Sequence, residues 1–119
     1  MSREFWLTDG PTRINAAVNQ PMYNAVDVSE FDILDFECYV SAAPGTNGTI
    51  TIRTGMSMES DDDWTVLVNF SPLFVTGSSY AVRVSSGIMR YVRFQVPSLF
   101  GTEVVFTIKI IGRAFEELL

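Results

Sequence analysis

Six stretches of the chain alternate apolar and polar residues with a period of two: Leu34, Phe36, Cys38, Val40; Ile50, Ile52; Trp64, Val66, Val68, Phe70; Tyr80, Val82, Val84; Val92, Phe94, Val96; and Val104, Phe106, Ile108, Ile110. Successive side chains of a strand point to opposite faces, so each stretch buries one face and wets the other. Short strands separated by turn residues at intervals of about a dozen residues are the pattern of sandwiches and jelly rolls. The fold class predicted is all-β: an antiparallel two-sheet β-sandwich, jelly-roll-like, with an extended N-terminal arm.

At 119 residues the chain suits one domain, and a domain of this size removes roughly two-thirds of its unfolded surface from water. The expected organisation is an arm over residues 1–21, a sandwich over 22–113 and a tail over 114–119. Glu4-Phe5-Trp6-Leu7 reads as a short first strand within the arm, Asp9-Gly10-Pro11 as a turn, and Met22 to Val28 as a further strand. Hairpin or turn residues fall at Pro44-Gly45-Thr46-Asn47-Gly48, Thr76 to Ser79, Ser85-Ser86-Gly87 and Pro97 to Thr102, and Ala114 to Leu119 reads as a helical turn. The one cysteine, Cys38, is in phase with Leu34, Phe36 and Val40 and reads as a core residue. With neither a leader pattern nor a run of ~20 apolar residues, the expected site of synthesis is a cytoplasm. The tripeptides Asn47-Gly48-Thr49 and Asn69-Phe70-Ser71 match a glycosylation pattern and are read as chance matches.

The net charge of −6 argues against nucleic-acid binding, which needs clustered Lys and Arg. Its distribution is uneven. Nine acidic residues lie between Asp27 and Asp63 against one base, Arg53; from Trp64 to Arg113 five bases (Arg83, Arg90, Arg93, Lys109, Arg113) face one acid, Glu103. Two readings follow: cross-strand ion pairs inside one sandwich, or an acidic edge of one copy meeting a basic edge of the next.

Catalytic parts are scarce. With no histidine there is no Ser-His-Asp triad, no Cys-His pair and no imidazole metal ligand. Lys109 falls on the polar face of the last strand, and Asp32, Asp35 and Glu37 read as solvent-facing strand residues rather than as a carboxylate pair for glycoside hydrolysis. Asp61-Asp62-Asp63 is the best oxygen cluster for a cation, but it lacks the spacing of a helix-loop-helix calcium site. Neither a metal nor an organic cofactor is expected. Trp64 reads as core, whereas Trp6 and Tyr23 lie in weakly patterned segments where rings can stand in solvent and stack on sugars.

The order of Val28-Ser29-Glu30-Phe31-Asp32, Thr51-Ile52-Arg53-Thr54-Gly55-Met56-Ser57, Asp63-Trp64-Thr65, Met89-Arg90-Tyr91-Val92-Arg93-Phe94-Gln95-Val96 and Val105-Phe106-Thr107-Ile108-Lys109-Ile110-Ile111-Gly112 resembles small β-sandwich structural proteins of tailed bacteriophages, head-decorating and tail-associated ones included. The resemblance spans residues 28–112. Met56-Ser57-Met58 and the three aspartates depart from it, standing where that pattern more often has a Ser-Asp-Gly turn. The same strand pattern also resembles discoidin-like carbohydrate-binding sandwiches. The first resemblance implies a non-catalytic virion protein, assembled in a bacterial cytoplasm, that forms homo-oligomers and contacts capsid or other virion proteins, with neither nucleic acid nor membrane as partner. Phe5 and Trp6 of the arm, Phe115 of the tail, and Arg90 and Arg93 against Asp61, Asp62 and Asp63 of a neighbour are its expected contact residues. A carbohydrate-binding module for cell-surface attachment is the alternative, with a glycan as partner.

Overall fold

A computed structural model describes residues 2–8, 10–42, 47–60, 63–70, 76–101 and 103–114. Among the described residues ten strands follow one another: β1 (Ser2–Trp6), β2 (Thr12–Ile14), β3 (Val18–Asn19), β4 (Val26–Asp27), β5 (Ile33–Ala42), β6 (Asn47–Gly55), β7 (Thr65–Asn69), β8 (Ser79–Val84), β9 (Tyr91–Phe100) and β10 (Val104–Arg113). One sheet runs β1-β10-β5-β8, with β2 also on β10; the other runs β3-β9-β6-β7, with β4 also on β9. All pairings are antiparallel. β1 with β2, and β3 with β4, act as halves of two broken strands. Among the described elements, only the step from β6 to β7 then stays within a sheet; every other connection crosses, which is jelly-roll wrapping.

The alternation does what its period requires. Leu34, Phe36, Cys38 and Val40 of β5 and Val104, Phe106, Ile108 and Ile110 of β10 face Ile50 and Ile52 of β6 and Val92, Phe94 and Val96 of β9, all buried. Phe94 meets Phe106 edge to face across the sheets, with centroids 5.3 Å apart, a geometry worth about 0.5–1.5 kcal/mol beyond area burial. Cys38 lies in this core, and burial pushes its thiol up to about 12.

Four expectations are corrected. The N-terminal residues are extended but do not form a free arm: β1 pairs along Lys109–Arg113, β2 along Val104–Phe106, and β3 on β9. The edge of β10 supplies open backbone groups, and Phe5, opposite Ile110, stacks on Phe31 at 5.7 Å; burial and pairing capture a segment too short to show a period. Met22 to Val28 is not one strand. Met22–Asn24 forms a 3₁₀ turn, and only Val26–Asp27 pairs. Pro97 lies inside β9 rather than opening a turn, at a bulge where the register shifts between Thr49 and Thr51; a bulge tolerates the missing ladder donor.

The fourth concerns β7. A register shift at Ile52/Arg53 leaves Leu67 without a direct partner, so Leu67 and Val68 both pack toward the core while Val66 is 55% exposed. Trp64 is buried as expected, but on the outer side of the β6/β9 sheet. Its ring lies on Gly55, where an added Cβ would come within 2.8 Å of the indole, so glycine is needed there for space. The Arg93 guanidinium packs on the same ring, 4.5 Å from its centroid. Of the helical turn expected over Ala114 to Leu119 and the hairpin loop over Pro44 to Gly48, residues 115–119 and 43–46 lie outside the described residues.

Candidate ligand-binding face

The polar phase of the β1-β10-β5-β8 sheet builds one continuous outer surface. In register across it stand Trp6 of β1, Lys109 of β10, Glu37 of β5 and Ala81 of β8; two residues along, Thr107, Tyr39 and Ser79 form the next row. Trp6 is 58% and Tyr39 46% exposed, while Thr107, Ser79 and Ala81 between and beside them are small. The result is a hollow of about 300 Å³ bounded by the two rings and floored by Lys109, Glu37 and Ala81. Strand spacing puts the Trp6 and Tyr39 backbones roughly 12 Å apart on the diagonal. A second hollow of about 320 Å³ shares Glu37 and Ala81 and continues toward Asp35, Arg83, Ile111 and Arg113. Together they make a trough parallel to the strands.

Charges along the trough are arranged in groups. Lys109 Nζ lies 3.5 Å from Glu37 and 3.9 Å from Glu4, with the Trp6 ring centroid 6.0 Å away. Arg83 donates from Nε and Nη2 to the two oxygens of Asp35 at 2.7 and 3.0 Å, and Arg113 Nε stands 3.6 Å from the same carboxylate. The Arg83 hydrogen bonds hold the Asp35 carboxyl below the usual range against the opposing effect of desolvation, and the same pairing raises Arg83. These carboxylates are therefore engaged in cross-strand pairs. The acidic first half and the basic second half meet inside one chain, as Arg90–Asp27 at 3.3 Å also shows.

The expected contact residues are scattered. Trp6 belongs to the trough. Phe5 is half-buried on the opposite side of β1, against Phe31. Arg90 is exposed and bound to Asp27, over the Tyr91 ring at 5.1 Å. Arg93 is corrected as a contact residue: it is 2% exposed and donates to the Gln20 carbonyl at 3.1 Å, because its guanidinium packs on the Trp64 ring rather than standing in solvent. Asp63 is exposed at a turn whose amide reaches Ser60; Asp61, Asp62 and Phe115 lie outside the described residues. Among the described residues no group of three acidic, cysteine or histidine side chains is placed to hold a metal ion, and no helix is long and apolar enough to cross a membrane.

Tyr39, Thr107 and Arg83 escaped sequence reading as site residues because the polar half of an alternating strand carries no signal of its own. What would have found them is the pairing of β5 with both β10 and β8, which aligns three polar phases on one surface. No known protein family and no curated protein matches this chain. Among solved structures it is similar to the K1 cleaved adhesin domain of Lys-gingipain from Porphyromonas gingivalis, with a TM-score of 0.51 and 13% identity, over 95% of this chain and 98% of that one; the likeness is one of fold, a β-sandwich.

Proposed function

We propose that this chain is a non-catalytic binding module whose trough takes up a carbohydrate chain, serving surface attachment. The observation that carries the reading is the pair of exposed rings, Trp6 and Tyr39, framing a hollow floored by hydrogen-bonding groups. Apolar ring faces match the C–H faces of pyranoses, while fixed polar groups orient hydroxyls. The likeness of fold to an adhesin domain supports it. So does the engagement of Asp35 and Glu37 in ion pairs, which leaves them as structural groups rather than an acid/base pair.

Affinity electrophoresis in gels containing neutral polysaccharides tests it. A retarding polymer is expected, with Trp6→Ala and Tyr39→Ala each weakening retention at least tenfold, or ~1.4 kcal/mol, and leaving thermal stability nearly unchanged because both side chains are exposed. Retention insensitive to both substitutions would remove the trough as the binding site.

A second reading is a virion structural subunit that contacts its own copies or a capsid. Its support is the jelly-roll order, an architecture common to capsid and lectin domains. Light scattering at low and high salt separates the two: a ring-sized oligomer that loosens with salt favours the particle, and a monomer at all concentrations favours the binding module.

A further inference from the structure

The far half of the trough is built differently from the half under Trp6. At its floor two guanidinium groups share one carboxylate: Asp35 spends both oxygens on the fork of Arg83, while Arg113 approaches it only to 3.6 Å, and its buried Nε makes no hydrogen bond. Glu37, the other acid lining this half, shares Lys109 with Glu4, at 3.5 and 3.9 Å. At this end of the trough two guanidinium groups therefore face one carboxylate, an excess balanced over the whole trough only by Glu4 and Glu37 around Lys109, and the Arg113 fork is unspent among the described residues. Ile111 and Ala81 beside it are uncharged and leave the floor open. A planar guanidinium with free donors recognises a carboxylate in a two-point geometry that a lysine cannot reproduce.

We propose that this half of the trough binds the carboxylate of an acidic sugar, so that the glycan taken up is a uronate-containing chain: one sugar ring lies between Trp6 and Tyr39, and the carboxylate of a neighbouring unit is held by Arg113 with Arg83 beside it. The inference rests on the glycan-binding reading above. The two hollows share Glu37 and Ala81, so a single chain spans both. Because the whole protein carries a net charge of −6, a polyanion is not drawn to it by net charge; binding of one requires a local cationic fork.

The experiment measures retention of the whole protein in gels containing polygalacturonate, the same polymer with its carboxylates reduced to alcohols, or dextran sulfate. The expected result is at least tenfold tighter binding to the carboxylated polymer than to its reduced form, diminishing as salt is raised. Arg113→Gln should abolish that preference, and Arg113→Lys, which keeps the charge without the fork, should restore little of it. Equal binding of the carboxylated and reduced polymers, with dependence on Trp6 intact, would overturn the carboxylate site and leave glycan binding standing. Binding to dextran sulfate as tight as to polygalacturonate would also overturn it, in favour of a generic anion contact. Failure to bind any of these polymers or any neutral polysaccharide would overturn both.

Discussion

Replacing Gly55 by alanine tests the outer stack directly. The new Cβ would lie 2.8, 3.0 and 3.2 Å from three carbons of the Trp64 indole, whereas carbon atoms rest at about 3.5–4.0 Å. The ring would have to retreat by roughly 0.7 Å on that spacing, and it is hemmed in: Trp64 is 2% exposed, and the Arg93 guanidinium packed on it at 4.5 Å is itself bonded to the Gln20 carbonyl. Overpacking of this kind costs about 1–3 kcal/mol, of which about 0.4–1 kcal/mol is recovered because alanine restricts the unfolded chain. A net loss of about 1–2 kcal/mol is expected, and at about 2.1 cal/mol/K of unfolding entropy per residue this lowers the melting temperature by roughly 4–8 °C. Urea unfolding followed by far-ultraviolet circular dichroism supplies the stability and avoids the two tryptophans as probes. The decisive arm is a double-mutant cycle with Trp64→Leu: once the ring is gone, Gly55→Ala should become neutral or stabilising, a coupling of about 1 kcal/mol or more. An equal loss in both backgrounds would refute the claim that Gly55 exists to seat the tryptophan.

Two further outcomes are expected. Gln20 is buried directly after β3; its Nε2 donates to the Leu7 carbonyl at 2.8 Å and its Oε1 accepts from the Phe94 amide at 3.0 Å. Gln20→Ala strands both partners and should cost about 2–4 kcal/mol; a loss below ~1 kcal/mol in urea unfolding would show that water replaces the side chain. The Asp35 carboxyl is held below its ordinary value by Arg83, so its contribution is present above the unfolded carboxylate pKa of about 3.9 and is lost as pH falls through the lower folded value. Asp35→Asn should be less stable than wild type at pH 7, with the gap closing below about pH 4; urea midpoints from pH 7 to 2.5 that keep a constant gap would contradict this.

The strands of the core were legible because burying one face of a sheet imposes a period of two that survives in sequence. Cys38 illustrates it: its phase with Phe36 and Val40 alone placed it in the core. The phase failed where a bulge intervened, at Val66, since one extra residue reverses the faces beyond it and leaves composition untouched. It was silent for β1 to β4, whose pairing depends on the exposed edges of β9 and β10 rather than on local pattern. Charge was half legible. The opposition of acidic and basic halves was visible, but only register shows that Arg83 meets Asp35 and Lys109 meets Glu37 within one chain.

By itself the sequence determined a sandwich with a defined set of inward residues, because hydrophobic burial is read out residue by residue along each strand. The tertiary structure alone decided which outward residues become neighbours. Trp6 and Tyr39 are 33 positions apart in the chain and face one hollow only because β10 lies between β1 and β5. Arg93, an ordinary surface position by alternation, is buried because its guanidinium packs on the ring of Trp64, 29 positions earlier in the chain. Burial along a strand is a one-dimensional property, whereas a binding surface is made by lateral strand order, which depends on pairings between residues distant in sequence.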